Sequence, residues 1–224
     1  MIGDTPMVRE VEANLKATGV KVLDVEILRV KPDTCAINWK PFFETGARLG
    51  ATDVLVAAND PNYERFLDNF AELCEIAHPY GLSLSIEPMP WCDISTVKQA
   101  GDAMKRVNRP NAGVLVDPIH FYRADNDYAD IDALPKGSLK YCQMCDLTAD
   151  KPKDMDGILY QARNFRLSPG TGAGDLTTLL KHLPGLPISI EACNAELALA
   201  MSPVERARMY LEDMVAVLNK AGEH

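Results

Sequence analysis

The chain has 224 residues, 47% of them hydrophobic and 25% charged, which is the make-up of one globular domain (residues 1–224) with a sizeable core. A formal net charge of −9, with no Lys/Arg-rich stripe to offset it, gives a surface field that repels phosphodiester backbones and excludes nucleic acid as a partner. The opening MIGDTPMVREVEANL lacks the apolar core of a secretion signal, and no stretch approaches the roughly 20 apolar residues that span a bilayer, so a cytoplasmic protein without membrane contact is expected.

Short β-rich runs alternate with segments of helical period, beginning with KVLDVEILRV (21–30) and TDVLVAAN (52–59). In the first, alternation sets Leu23, Val25 and Ile27 against Val22, Asp24 and Glu26. The second ends on Asn59, which either lines the same mouth as Glu26 or caps a helix. Between 61 and 79, Phe66, Leu67, Phe70, Leu73, Cys74 and Ala77 fall on one helical face. LSLSIEPMP (82–90) puts Leu82, Leu84 and Ile86 on one side and Ser83, Ser85 and Glu87 on the other, with Trp91 directly after it. AGVLVDPIHF (112–121) opposes Val114 and Val116 to Gly113, Leu115 and Asp117. LKYCQMCDL (139–147) follows, then PISIEA (187–192), with Ile188 and Ile190 against Ser189 and Glu191. The last helix, 203–220, opens with Ser202-Pro203-Val204-Glu205, a capping box with proline at the first helical position, and groups Ala207, Leu211, Met214, Val215 and Leu218.

Six such strand and helix units describe an α/β fold with a parallel sheet. Large aliphatics point towards helices, and the small or polar face ends in a carboxylate at several strand tips. An open doubly wound sheet would be apolar on both faces, so the pattern predicts a TIM (β/α) barrel with its site at the C-terminal tips. Glu87, Asp117 and Glu191 end three strands in this way. A lone buried carboxylate is costly, so each either caps the next helix, pairs with Arg or Lys, or shares a divalent cation. Carboxylates with a neutral amide suit Mg²⁺ or Mn²⁺, with Co²⁺ as a further choice, and do not make a thiolate zinc site.

The runs SIEPMP, VDPIHF with its Asp-x-x-His, YCQMCD and the final SIEA resemble the last four strands of the xylose isomerase-like superfamily of sugar isomerases and epimerases, which also holds 3-dehydroshikimate dehydratases and endonuclease IV. The resemblance runs from about residue 5 to the C-terminus. It implies one divalent cation held by Glu87, Asp117, Gln143 and Glu191, with Glu87 and Glu191 also serving as acid and base. It further implies that His120, Arg163 and Arg166 meet substrate, with Glu26 and Trp91 lining the mouth. Residues outside the site explain these positions too: a histidine satisfying loop backbone, surface arginines, a tryptophan in the core.

Two departures matter. The family usually has histidine where Gln143 stands, although a glutamine also occurs among dehydroshikimate dehydratase-like members. Family barrels have eight strands, and the first two are expected to be absent here. An open barrel exposes two strand edges, which predicts a homo-oligomer closed across the gap.

Two other motifs carry less. Cys142-Gln-Met-Cys145 places its sulfurs on opposite strand faces, and the six cysteines as a whole read as reduced thiols. PGTGAGD (169–175) precedes a helix but lacks a P-loop lysine, and reads as a flexible loop capped by Asp175. Four histidines, with His120 alone at a strand tip, do not supply the multi-zinc site of an endonuclease. The reading is an isomerase or epimerase of a small polyhydroxylated carbonyl compound, with a metal-dependent dehydratase, or a barrel subunit without activity, as the alternatives.

Overall fold

A computed structural model describes residues 2–222. Its centre is one six-stranded, all-parallel sheet in sequential order: β1 (Asp24–Val30), β2 (Asp53–Ala58), β3 (Ser83–Ile86), β4 (Ala112–Val116), β5 (Leu139–Met144) and β6 (Ile188–Ile190). Sequential order with a helix in each crossover is the winding of a (β/α) barrel. Here β1 and β6 do not pair, so the barrel is partial and open along one seam.

The helices begin with α1 (Pro6–Thr18), α2 (Lys40–Arg48), α3 (Tyr63–Ala77) and α4 (Val97–Val107). They are followed by α5 (Pro118–Arg123), α6 (Tyr128–Asp132), α7 (Met155–Asn164), α8 (Leu176–Lys181), α9 (Ala195–Ala200) and α10 (Pro203–Ala221). Start signals sit where the sequence places them. Thr96 with Gln99, and Ser202 with Glu205, each complete a capping box, the second one as predicted.

The main core lies between the sheet and the helices. Val54, Val56, Leu84, Ile86 and Val114 meet Phe66, Phe70 and Leu73 of α3, while Val116, Cys142 and Met144 meet Leu179 of α8 and Met214 and Val217 of α10. The barrel interior holds a smaller plug, in which Leu55, Leu115 and Tyr141 pack with Leu23 and Ile27. All six predicted residues of the 61–79 helix are buried.

Two expectations need correction. Leu23, Val25 and Ile27 do not share a face: Val25 packs on the helix side, whereas Leu23 and Ile27 turn into the barrel. The β1–β2 register shifts between Val25 and Leu28, an irregularity that turns Ile27 over relative to Val25, while Leu23 precedes the strand and is not bound by its alternation. Glu26 also lies inside β1 and not at its tip, since the strand continues to Val30. On α10, Met214 and Val217 are buried and Leu218 packs against them, but Leu211 is 59% and Val215 45% exposed. No described element covers them.

Candidate active site

Each strand tip delivers the side chain that alternation promised. Glu87 directly follows β3, and its amide continues the ladder to Val56 O (3.0 Å). Asp117 follows β4 and also begins α5, accepting the Ile119 amide at 2.8 Å. Helix capping and membership of a polar cluster are therefore joint roles of one carboxylate. Gln143 is the fifth residue of β5, and Glu191 follows β6 with its amide on Met144 O (3.0 Å). His120, in the first turn of α5, brings its Nε2 to 3.4 Å from Glu87 Oε1. One ligand atom each from Glu87, Asp117 and His120 lie within 4.8 Å of one another.

Arg166 organises the cluster. It follows α7 in a short antiparallel pairing, where Phe165 bridges Asn194 and the Arg166 amide donates to Cys193 O (2.9 Å). Its Nε donates to Ala162 O (2.7 Å), and its Nη1 reaches Asp117 Oδ2 (2.5 Å), Glu191 Oε2 (3.0 Å) and Glu191 O (3.1 Å). A buried guanidinium satisfied in this way ties together three chain segments far apart in sequence. Arg166 thus stands among the carboxylates themselves. Gln143 Nε2 donates to Glu26 Oε1 (2.8 Å), and Tyr141 OH donates to Asp24 Oδ2 (2.7 Å). The first of these bonds orients the Gln143 amide and leaves its oxygen without a partner.

Electrostatics separate the acids. Burial opposes ionisation of Asp117, but Arg166 and His120 outweigh it and hold this carboxyl below its ordinary range. Burial, then the charges of Asp117 and Glu191, push Glu87 well up. Glu191 is pushed up to about 8 by burial, against the pull of Arg166. Glu26 faces solvent on its seam side, while the protein packed on its other side, and then Asp24, raise it. Burial lowers His120 to about 4, so its imidazole is neutral at neutral pH and its contact with Glu87 is not an ion pair.

Glu26, Glu87, Glu191, His120 and Arg166 line one cavity of about 220 Å³. Trp91, edge-on to the His120 ring at 4.9 Å, forms a wall, and Arg163 lies over the Trp91 ring at 5.9 Å. Asp117 and Gln143 sit behind these lining groups. Asn59 is elsewhere, its amide on Cys92 Sγ at 3.5 Å. Asn59 neither lines the cavity nor caps α3, whose cap is Asn62, whereas the other predicted site residues gather around one space. The fold adds one that the sequence reading passed over, Arg29, which lines the same cavity. Alternation puts Arg29 with Ile27, so placing Ile27 towards the helices hid both.

A divalent cation fits the chemistry of this donor set. Three converging carboxylates, with Glu26 beside them, face one buried arginine, and their mutual repulsion adds to the burial that raises Glu87 and Glu191. Glu87 Oε1 and Gln143 Oε1 are buried acceptors without a hydrogen-bond donor.

The glycine-rich segment is better ordered than expected. Asp175 caps α8, accepting the Thr178 amide, as predicted. The amides of Gly170, Gly172 and Gly174 converge on the Asp146 carboxylate at 3.0, 2.9 and 2.9 Å, joined by that of Leu147 at 2.8 Å. The nest of amides already holds an anion, supplied by the chain itself. A Cβ on Gly172 would lie 2.6 Å from Asp146 Oδ1, so only glycine fits. Cys142 packs among the helices and Cys145 faces Asp117, consistent with the sulfurs not forming one site. All six cysteines are free.

Comparison with known proteins identifies the fold's relatives. A 3-dehydroshikimate dehydratase of Pseudomonas aeruginosa is 30% identical over 186 residues, 76% of this chain and 29% of that protein. The inosose isomerase of Bacillus licheniformis is 31% identical over 155 residues, 66% of this chain and 53% of that one. The chain therefore spans about half, or less, of these relatives. Among solved structures, the IOLI protein with a bound zinc atom superposes with a TM-score of 0.79 at 22% identity, covering 97% of this chain and 83% of that one. No described helix is long and apolar enough to cross a membrane. Residues 8–217 match the family described as Xylose isomerase-like TIM barrel, and the chain belongs to that family.

Proposed function

We propose that the chain is a divalent-metal-dependent isomerase or epimerase of a small polyhydroxylated ketone or aldehyde, working by proton transfer next to the carbonyl. The observation that carries this reading is geometric: two glutamates, Glu87 and Glu191, face one cavity, both pushed above the ordinary carboxyl range chiefly by burial. Relatives that are isomerases and a dehydratase support it.

Glu87, Asp117, Gln143 and Glu191 would hold the ion. When bound, Mn²⁺, Mg²⁺ or Co²⁺ supplies Lewis acidity that polarises the substrate carbonyl and acidifies the neighbouring C–H. One glutamate removes that proton, and the other returns one to the opposite face, which inverts the carbon. Neutral His120 offers a hydrogen bond to a substrate hydroxyl, its Nδ1 being free of any partner among the described residues. Trp91 excludes water from one side. Gln143, fixed by Glu26, keeps its oxygen turned to the cluster.

The test has two parts. Stepwise Mn²⁺ addition to chelated protein is expected to raise the melting temperature of the parent and not of Glu87→Gln or Glu191→Gln. Inososes and ketoses incubated in deuterated water are then expected to exchange one C–H. Growth of ultraviolet absorbance in place of exchange would instead mark loss of a hydroxyl, the dehydratase outcome. Failure of any divalent ion to move the melting temperature would contradict the metal-dependent reading and favour a subunit without activity of its own. Closure of the seam by a second copy belongs to the same proposal. The unpaired edges of β1 and β6 support it, and sedimentation velocity tests it. Free thiols are consistent with a reducing cytoplasm.

A further inference from the structure

We infer that the substrate of this site carries an oxyanion, a carboxylate or a phosphate, recognised by Arg29 and Arg163 at the cavity mouth; this rests on the catalytic reading above and adds the charge of the substrate to it.

The cavity is electrically two-ended. Its buried floor presents Glu87 and the carboxylate side of the cluster, with His120 and Arg166. Its outer part presents Arg29, half-buried on β1, and Arg163, exposed at the end of α7, with the exposed Glu26 as the one acid beside them. The two arginines reach the cavity from separate parts of the fold. Unlike Arg166, neither makes a side-chain hydrogen bond or ion pair with any described residue. Of the other described arginines, Arg208 alone shares this, and it lies on α10 away from the cavity lining. Arg48, Arg65, Arg106 and Arg109 are each locked onto an acid at 2.5 to 3.0 Å.

Arg163 is instead held by the face of Trp91, a contact that fixes the guanidinium plane and leaves its N–H donors free. A guanidinium is built to grip carboxylate or phosphate oxygens in pairs. A hydroxylated neutral ring would need no such cations at this end. The polarity also sets the orientation: carbonyl and hydroxyls towards Glu87 and His120, anion outward. A cavity of about 220 Å³ admits one small ring or short chain with a single such group.

The experiment is calorimetric titration of the full chain with Mn²⁺ present. The ligands are a neutral polyhydroxy ketone (an inosose), a carboxylated one (3-dehydroshikimate) and a phosphorylated one (fructose 6-phosphate), each at low and high salt. At least one anionic ligand is expected to bind about tenfold or more tighter than the neutral one, and to lose about tenfold in Arg29→Gln and in Arg163→Gln. Arg163→Lys keeps the charge and should recover most of the loss, which a merely structural role for the side chain would not predict. Arg29→Lys serves if Arg29→Gln perturbs β1. Whether the carboxylate or the phosphate shows the preference identifies the source of the anion.

Equal affinity for neutral and anionic ligands, no binding of either anion, or anion binding indifferent to both arginines overturns the inference. Arginine-dependent anion binding supports it even where no C–H exchange follows, an outcome that would remove the catalytic reading alone. Exchange on a neutral ketone, unchanged by the arginine substitutions, overturns it and leaves the catalytic reading standing.

Discussion

The strands β2 to β5 and the strand β6 are made of the same kinds of residue yet end in different states. Val54, Leu84, Val114 and Met144 are fully buried, while all three residues of β6 are half-buried, like most of β1. A central strand has a partner on either side, helices on its outer face and the Leu55, Leu115 and Tyr141 plug within. The edge strands lack one neighbour each. The candidate site straddles the two regions, since Glu87 and Asp117 sit at central tips whereas Glu26 and Glu191 belong to the seam. Rigidity comes from the centre and access from the edges.

The largest expected effect lies in the centre. Phe70 is fully buried on α3, stacked on Phe66 with ring centroids 5.8 Å apart. Phe70→Ala should cost about 3–5 kcal/mol, read as a fall in the urea midpoint at unchanged slope. A cost below about 1 kcal/mol would mean that the core repacks, and the contrast with the seam would collapse.

Arg166 comes next. Replacing it by Met removes the partner of Asp117 and Glu191 and leaves a buried carboxylate uncompensated, a loss of about 3–5 kcal/mol. Asp117→Asn in the same background should recover part of it, since the stranded charge is then gone, and a double-mutant cycle of denaturation midpoints measures the coupling. Additive costs would show that the two side chains do not act as a pair.

Asp146 tests the ordered glycine loop. Its carboxylate takes four backbone amides, and Asp146→Ala strands them in a buried place at a cost of about 2–4 kcal/mol. Hydrogen exchange at Gly170, Gly172 and Gly174 should accelerate with it. Unchanged protection would mean that the amides find other acceptors.

What could be read in the sequence follows a physical line. Alternation is a property of the single strand, so Glu87, Asp117 and Glu191 at the strand tips were legible without any contact being known. Capping signals are equally local, and both Ser202 and Asp175 act as expected. Pairings across the fold were not legible. Nothing near Arg166 announces Asp117, 49 residues away, and the alternate glycines of 170–174 do not point back to Asp146. The register shift in β1 is invisible to alternation, which assumes none, and it cost the placement of Ile27 and with it Arg29. Helical period found the right stripe on α10 but could not tell that one side of it would find no neighbour.

A pH experiment sharpens the comparison at the outer layer. Asp60, just past β2, accepts the Arg65 side chain at 2.7 Å from both ends of the carboxylate, and the Asn62 amide at 2.9 Å. The Arg65 hydrogen bonds hold its carboxyl below the ordinary range. A depressed acid contributes stability that is present above the unfolded pKa of about 3.9 and disappears as pH falls through the folded value. Asp60→Asn should therefore shallow the acid limb of the melting temperature below about pH 4 and leave its slope near neutrality unchanged. A change of slope at neutral pH would assign the limb to other groups.

The smallest effect belongs to α10, which packs on the edge strand β6, and it is the one that discriminates most. Leu211 stands 59% exposed on α10, with Val215 45% exposed one turn on. An apolar side chain already in water has little transfer energy to lose, so in an isolated protomer Leu211→Ser should move stability by no more than about 0.5 kcal/mol. Dilution would not alter that figure in a monomer. A cost of about 2 kcal/mol or more, fading as protein concentration falls, would mean that the face is covered in solution. In that case the second copy proposed at the seam would be part of the folded unit. The half-burial of β6 would then describe one protomer alone, and Glu191 would sit beneath an interface, no longer beside open solvent.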